Sequence, residues 1–279
     1  MIAGIEMGGT KTVVAIGEPD GTVHEEHRYP TEDGPGTFAA AIDWLRERGT
    51  PEAVGVAAFG PVSVTRNRAD YGSMLATPKP GWAGFSITGA LGEAFPEARV
   101  AIETDVNAAV LAEADGLEDV VYITIGTGLG AGILSGGRLI HGVLHSEFGH
   151  WLPRKSPGDD FKGVCPFHGD CLEGLASGPA IAERWGREAK DLPAGHQAWD
   201  FECDYLAQAV QVLLATVNPA RVVIGGGVSQ AEGFHQRVEQ IVRERAADYF
   251  PALAENRPFV VPPQHGQQAG IRGALLLTR

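Results

Sequence analysis

Ile5-Glu6-Met7-Gly8-Gly9-Thr10-Lys11 and Ile123-Thr124-Ile125-Gly126-Thr127-Gly128 are the two stretches that decide the fold. Each is an apolar run that breaks into a glycine turn, and each turn is followed by a second apolar run, at 12–17 and at 131–134. Both read as strand, turn, strand. Outward from the first, residues 21–28 alternate as a third strand. A helical pattern begins at Thr37 with Phe38, Ile42 and Leu45 on one face, and Ala53 to Phe59 reads as a buried strand. Residues 60–84 are irregular, and loops of that length inside a domain usually serve function or move. Val100-Ala101-Ile102 is a strand, and Asp105 reads as the N-cap of a helix over 106–115. Outward from the second stretch, a strand over 138–142 is followed by helices near 174–188 and 203–217. Strand 221–224, helix 232–247, a short strand at 258–261 and a closing helix over 271–277 complete the chain. Two similar halves of this kind predict a duplicated α/β fold of two lobes with a cleft between them and a boundary near 103–117.

Composition narrows the function classes. With 279 residues the chain can bury a core without disulfides. A net charge of -13 argues against a polyanionic duplex, so no nucleic-acid partner is expected. It leaves phosphate ligands open, because backbone N–H groups and a metal ion can hold them. Three cysteines, Cys165, Cys171 and Cys203, indicate a reducing compartment rather than a disulfide framework. No signal-like N-terminus and no 18-residue apolar run occurs, so the expectation is a soluble cytoplasmic protein with no membrane partner.

Five constellations carry chemistry. The turns at 8–11 and 126–130 let backbone N–H groups approach a phosphate, with Thr10, Lys11 and Thr127 as further donors; a plain hairpin explains either one alone. Neither is a Walker loop. Gly225-Gly226-Gly227-Val228 lies between a strand and a helix, where free helical N–H groups suit a phosphate or a flat ring; a plain turn is equally open. Glu103-Thr104-Asp105 places a carboxylate at a strand end, as a cap or as a base. His150, Cys165, His168 and Cys171 form the sharpest pattern: three N/S donors within seven residues and a fourth upstream, the set a closed tetrahedral Zn²⁺ site takes. Glu147 and Glu173 flank it, as surface residues or as acceptors for sugar hydroxyls.

Together with Glu147-Phe148-Gly149-His150 and Cys165-Pro166-Phe167-His168-Gly169-Asp170-Cys171-Leu172-Glu173-Gly174, these motifs resemble the ROK family of bacterial sugar kinases and repressors. Thr77-Pro78-Lys79-Pro80-Gly81-Trp82 and the cysteine-histidine run look like its zinc-containing fructokinases. The resemblance implies an actin-like, ribonuclease-H-like fold with ATP and Mg²⁺ in the cleft and a structural Zn²⁺. It implies a lobe of residues 1–110, with helix 266–279 packing back on it, and a second lobe of 111–265. It implies Asp105 as general base, with Gly9, Thr10, Lys11, Thr127, Gly128, Pro179, Gly226, Gly227 and Val228 on the nucleotide. Thr104, Glu147, Glu173 and Lys79 fall on the sugar side, and His150, Cys165, His168 and Cys171 on zinc. Glu6 and Thr104 stand where many glucokinase-type members have Asp and Asn, which favours fructose over glucose; a kinase for another hexose, mannose or glucose, is the alternative. A homodimer is implied. A sugar-sensing repressor would need a DNA-binding helix-turn-helix, for which there is no room before the first turn.

Overall fold

Strand β1 (Ile2–Met7) lies between β2 (Lys11–Gly17), its antiparallel neighbour, and β4 (Ala53–Ala58), which runs parallel to it. Strand β3 (Val23–Pro30) extends the sheet beyond β2, and β5 (Arg99–Thr104) extends it beyond β4, giving the order β3-β2-β1-β4-β5. Every residue of β4 is buried, as expected of a parallel strand covered on both faces. The helices of this half are α1 (Gly34–Arg46), α2 (Ile87–Ala94) and α3 (Asp105–Glu113). These coordinates are a computed structural model that describes residues 1–77, 79–254 and 257–279; Pro78, in the Thr77–Trp82 run, lies outside them.

The second half repeats the first. Strands β6 (Val120–Ile125), β7 (Leu129–Ser135) and β8 (Arg138–Leu139) form an antiparallel meander. After α4 (Leu172–Ala176), α5 (Gly178–Trp185) and α6 (Ala198–Thr216), strand β9 (Arg221–Gly225) joins parallel to β6. Past α7 (Phe234–Ala246), β10 (Val260–Val261) joins parallel to β9. The order β10-β9-β6-β7-β8 matches the first sheet strand for strand. This is the duplicated α/β fold that the two glycine stretches predicted. The last element is α8 (Ala269–Leu276).

The chain divides into two compact units. One holds residues 1–115, 140–145 and 267–279; the other holds 116–139 and 146–266. In the first, α8 packs on α3 so closely that a Cβ at Gly273 would lie 1.9 Å from the Ala108 carbonyl oxygen. Helix α3 is buried on all sides and carries Asp105 at its start. The irregular 60–84 segment is packed rather than loose: Val62, Met74 and Trp82 are buried, and the Trp82 indole donates to the Glu32 carbonyl at 2.7 Å. Trp82 is therefore a core residue beside Phe38, Phe59 and Phe85. In the second unit the core lies between the sheet and the buried faces of α4, α6 and α7.

Two local expectations are corrected. The helix expected over 174–188 is two helices, because the Ser177 hydroxyl caps α5 by accepting from the Ala180 N–H, with Pro179 in its first turn. The cap of α3 is Thr104, whose hydroxyl accepts from the Asn107 N–H at 3.2 Å, and Asp105 is the first helical residue. The capping task assigned to Asp105 thus belongs to its neighbour. Helix α2 was not foreseen from the sequence.

Candidate active site and metal centre

In the second unit, the β6–β7 turn opens onto a cavity of about 420 Å³. Thr127 lines it with Pro179, at the start of α5, and with Gly227 and Val228, after β9. The Gly178 N–H donates to the Gly126 carbonyl at 2.8 Å, which seats the start of α5 on the glycine turn. Gly226 adopts φ +91, and a Cβ there would lie 2.2 Å from the Ile125 carbonyl oxygen, so only glycine lets the chain turn this tightly off the sheet. Glu188 and Lys190 lie along the rim and pair at 2.6 Å.

Beyond the same turn sits the cysteine-histidine cluster. The donor atoms of His150, Cys165, His168 and Cys171 all lie within 4.8 Å of one another. Cys165 Sγ is 3.8 Å from His150 Nδ1 and 3.7 Å from His168 Nδ1, and Cys171 Sγ is 3.6 Å from His150 Nδ1. A tetrahedral zinc with ordinary Zn–S and Zn–N bonds has S···N edges of about 3.6 Å, so the donor set fits. Burial pushes the Cys171 thiol up to about 11, and a cation is what would favour its thiolate.

The cluster is wired to both glutamates. Cys171 caps α4 by accepting from the Gly174 N–H, and Glu173 follows in the first turn. Glu173 Oε2 accepts from the Leu129 N–H at 3.0 Å, against the glycine turn. His150 turns Nε2 toward Glu147 Oε2 at 4.0 Å. A Cβ at Gly149 would lie 2.0 Å from the Leu129 carbonyl oxygen and 3.5 Å from Glu173 Cβ, so residues 147–150 pack against Glu173.

In the first unit, the β1–β2 turn exposes Gly9, Thr10 and Lys11. The Lys79 ammonium donates to the Gly9 carbonyl, and the Thr31 hydroxyl donates to the Gly8 carbonyl at 2.9 Å. Asp105 Oδ1 accepts from the Val106 N–H at 2.9 Å. Glu6, near the end of β1, is half-buried, and its buried Oε2 lacks a partner among the described residues; desolvation and the nearby Asp105 charge push its carboxyl up to about 7.

Thr127, Pro179, Gly227 and Val228 thus share one cavity, with Gly226 shaping its wall. Gly128 instead lies against Glu173, where a Cβ would come 2.9 Å from Oε2. Gly9, Thr10, Lys11, Lys79, Thr104 and Asp105 belong to the first unit. Glu103, His141, Glu188 and Lys190 were missed. The Ser177-Gly178-Pro179 start signal could have ended the preceding helix and exposed the 188–190 turn; nothing local marks His141.

A ROK family model matches residues 2–279. The chain is 37% identical to a fructokinase of Pediococcus pentosaceus, covering 100% of this chain and 98% of the relative. It is 38% identical to a fructokinase of Zymomonas mobilis, over 98% and 94%. The solved ROK hexokinase of Thermus thermophilus superposes with a TM-score of 0.81 at 27% identity, covering 99% of this chain and 97% of that one.

Proposed function

Because the chain belongs to the ROK family, we propose that it transfers the γ-phosphoryl group of ATP to the 6-hydroxyl of fructose, with Asp105 as general base. The protein is a sugar kinase. One observation carries fructose as the acceptor: end-to-end similarity to two fructokinases at 37% and 38% identity.

The geometry supports the assignment of roles. ATP is assigned to the 420 Å³ cavity, where the start of α5 at Gly178–Pro179 offers phosphate the positive end of a helix dipole. Mg²⁺ on the phosphates would supply charge neutralisation. His150, Cys165, His168 and Cys171 would hold a structural Zn²⁺ that leaves no open position for chemistry. With such an ion bound, the start of α4 and the 147–150 turn would be fixed, and Glu173 and Glu147 would be held for sugar hydroxyls, with Thr104 and Lys79 as further sugar contacts.

In the transfer, Asp105 takes the proton of the attacking hydroxyl and the oxygen adds in line to the γ-phosphorus. The bond to the ADP oxygen breaks, and Thr10, Lys11 and the 126–128 turn donate to the phosphate oxygens. A coupled ADP-release assay over a hexose panel tests the acceptor. The expected result is a kcat/KM on fructose at least about tenfold above mannose and glucose, a margin of about 1.4 kcal/mol. A higher value on another hexose moves the acceptor to that sugar.

A further inference from the structure

Just before Asp105, the Glu103 carboxylate is buried, yet both of its oxygens are engaged. Oε1 lies 2.8 Å from His141 Nε2. Oε2 accepts from Asn107 Nδ2 at 2.9 Å and from the Thr104 N–H at 3.3 Å. Asn107 Nδ2 also lies 3.4 Å from the same ring nitrogen. His141 belongs to residues 140–145, a short run that joins the first unit between two stretches of the second. The run is held at its other end by His145 Nε2, which accepts from the Val62 N–H at 3.2 Å.

We propose that Glu103 and His141 are positioning residues for phosphoryl transfer: their ion pair, with Asn107, fixes the β5-to-α3 corner and so the direction in which Asp105 presents its carboxylate. Burying a carboxylate is costly unless it is paired and hydrogen-bonded. This one is paired, and its partners bracket Asp105: Thr104 immediately before it, Asn107 two residues after it, and His141 from a distant segment. Glu103 raises the pKa of His141, consistent with an imidazolium that donates to the carboxylate. The Thr104 cap and the β4 pairing of Glu103 and Thr104 hold the backbone, so the pair refines a corner that is already formed. A misplacement of about 1 Å can cost on the order of 10²-fold in rate.

The inference rests on Asp105 as base, and the test separates the two. His141→Ala, His141→Gln and Glu103→Gln are each made in the native enzyme and in an Asp105→Asn background, and kcat and KM are measured. In the native background, His141→Ala is expected to lower kcat by about 10–100-fold. The KM for fructose should stay within about threefold, while His141→Gln, which keeps an N–H donor, recovers most of the rate. In the Asp105→Asn background the same substitution should change the residual rate by less than about twofold, because residues acting as a unit are not additive. Glu103→Gln, close in shape to the native residue, serves if His141→Ala does not fold. Equal fold-losses in both backgrounds would mean a purely structural role and overturn the proposal, as would native kcat in His141→Ala. Near-native turnover in Asp105→Asn alone would instead remove Asp105 as base.

Discussion

The two glycine turns occupy equivalent places in sheets of identical strand order, yet they are used differently. The turn after β1 is latched from outside: Lys79 and Thr31 take its carbonyls, and Lys11 Nζ reaches Gln267 at 3.3 Å. The turn after β6 opens onto a cavity and presents the Leu129 N–H to Glu173. The first lies in the unit that carries Glu6 and Asp105, and the second in the unit that carries the cysteine-histidine cluster. A repeated topology therefore fixes where a turn falls, while the loops that reach it fix its task. If Asp105 does the chemistry and the Glu173 side binds the sugar, a change at Asp105 should move kcat and a change at the cysteine-histidine cluster should move KM.

The largest effect tests the chemical half. Asp105→Asn keeps the size of the side chain and leaves the Thr104 cap untouched. It is expected to lower kcat by about 10²–10⁴-fold, the usual contribution of a general base. Fructose affinity, measured by calorimetry, should stay close to native. A variant that loses affinity and keeps kcat would place Asp105 on the binding side and break the comparison.

Next is the Glu6 carboxyl, whose pKa in the folded chain is about 7 against an ordinary 4.5. Between those values the unfolded chain has already released the proton that the folded chain retains. Stability therefore falls as pH rises through this window, by about 3 kcal/mol in total. Glu6→Gln should flatten that slope and exceed the native protein in stability at pH 8, measured by urea unfolding without nucleotide or magnesium. Parallel pH profiles for the two proteins would show that Glu6 does not hold its proton.

In the second unit, the zinc proposed for the cysteine-histidine cluster gives a test on the sugar side. Removal of zinc by a chelator, followed by dialysis and assay with magnesium restored, is expected to raise the KM for fructose about 10–100-fold, the scale on which residues around a metal site act, because Glu173 follows the cap that Cys171 provides. The KM for ATP should change far less, since the cavity is built from the turn, α5 and the residues after β9. Equal loss of both substrates would mean that the cluster supports the whole unit.

Much of this was legible in advance for physical reasons. Each of the two strand-turn-strand stretches is a short apolar run broken by glycine and followed by a second apolar run, a pattern that two paired, buried strands produce. The Cys165–Cys171 spacing fits a tight knuckle closed by hydrogen bonds between Cys165 and Gly169. What could not be read was delivered from far away or by a neighbour. His141 meets Glu103 across 38 positions, and no local pattern announces such a pair. Thr104 and Asp105 are both good caps, and only the backbone extended at Thr104, with ψ 155, decides between them. Helix α2 is short, its buried face is little more than Ile87 and Leu91, and it leaves a weak period.

The smallest expected effect concerns Lys190, which sequence reasoning passed over. Its side chain is 74% exposed and its partner Glu188 66% exposed. A pair so open to water adds little to stability, so Lys190→Ala should leave the melting temperature nearly unchanged. Its position on the rim matters more, because ATP arrives with several negative charges and an ammonium at the mouth attracts them. Loss of that charge should raise the KM for ATP about two- to fivefold at low salt, leaving kcat and the KM for fructose alone. Such an attraction is screened over about 10 Å at 0.1 M salt, so the difference from the native enzyme should shrink as salt is added. A KM for ATP that is unchanged at low salt would separate the 188–190 turn from the nucleotide and leave the cavity to the glycine turn, α5 and the residues after β9.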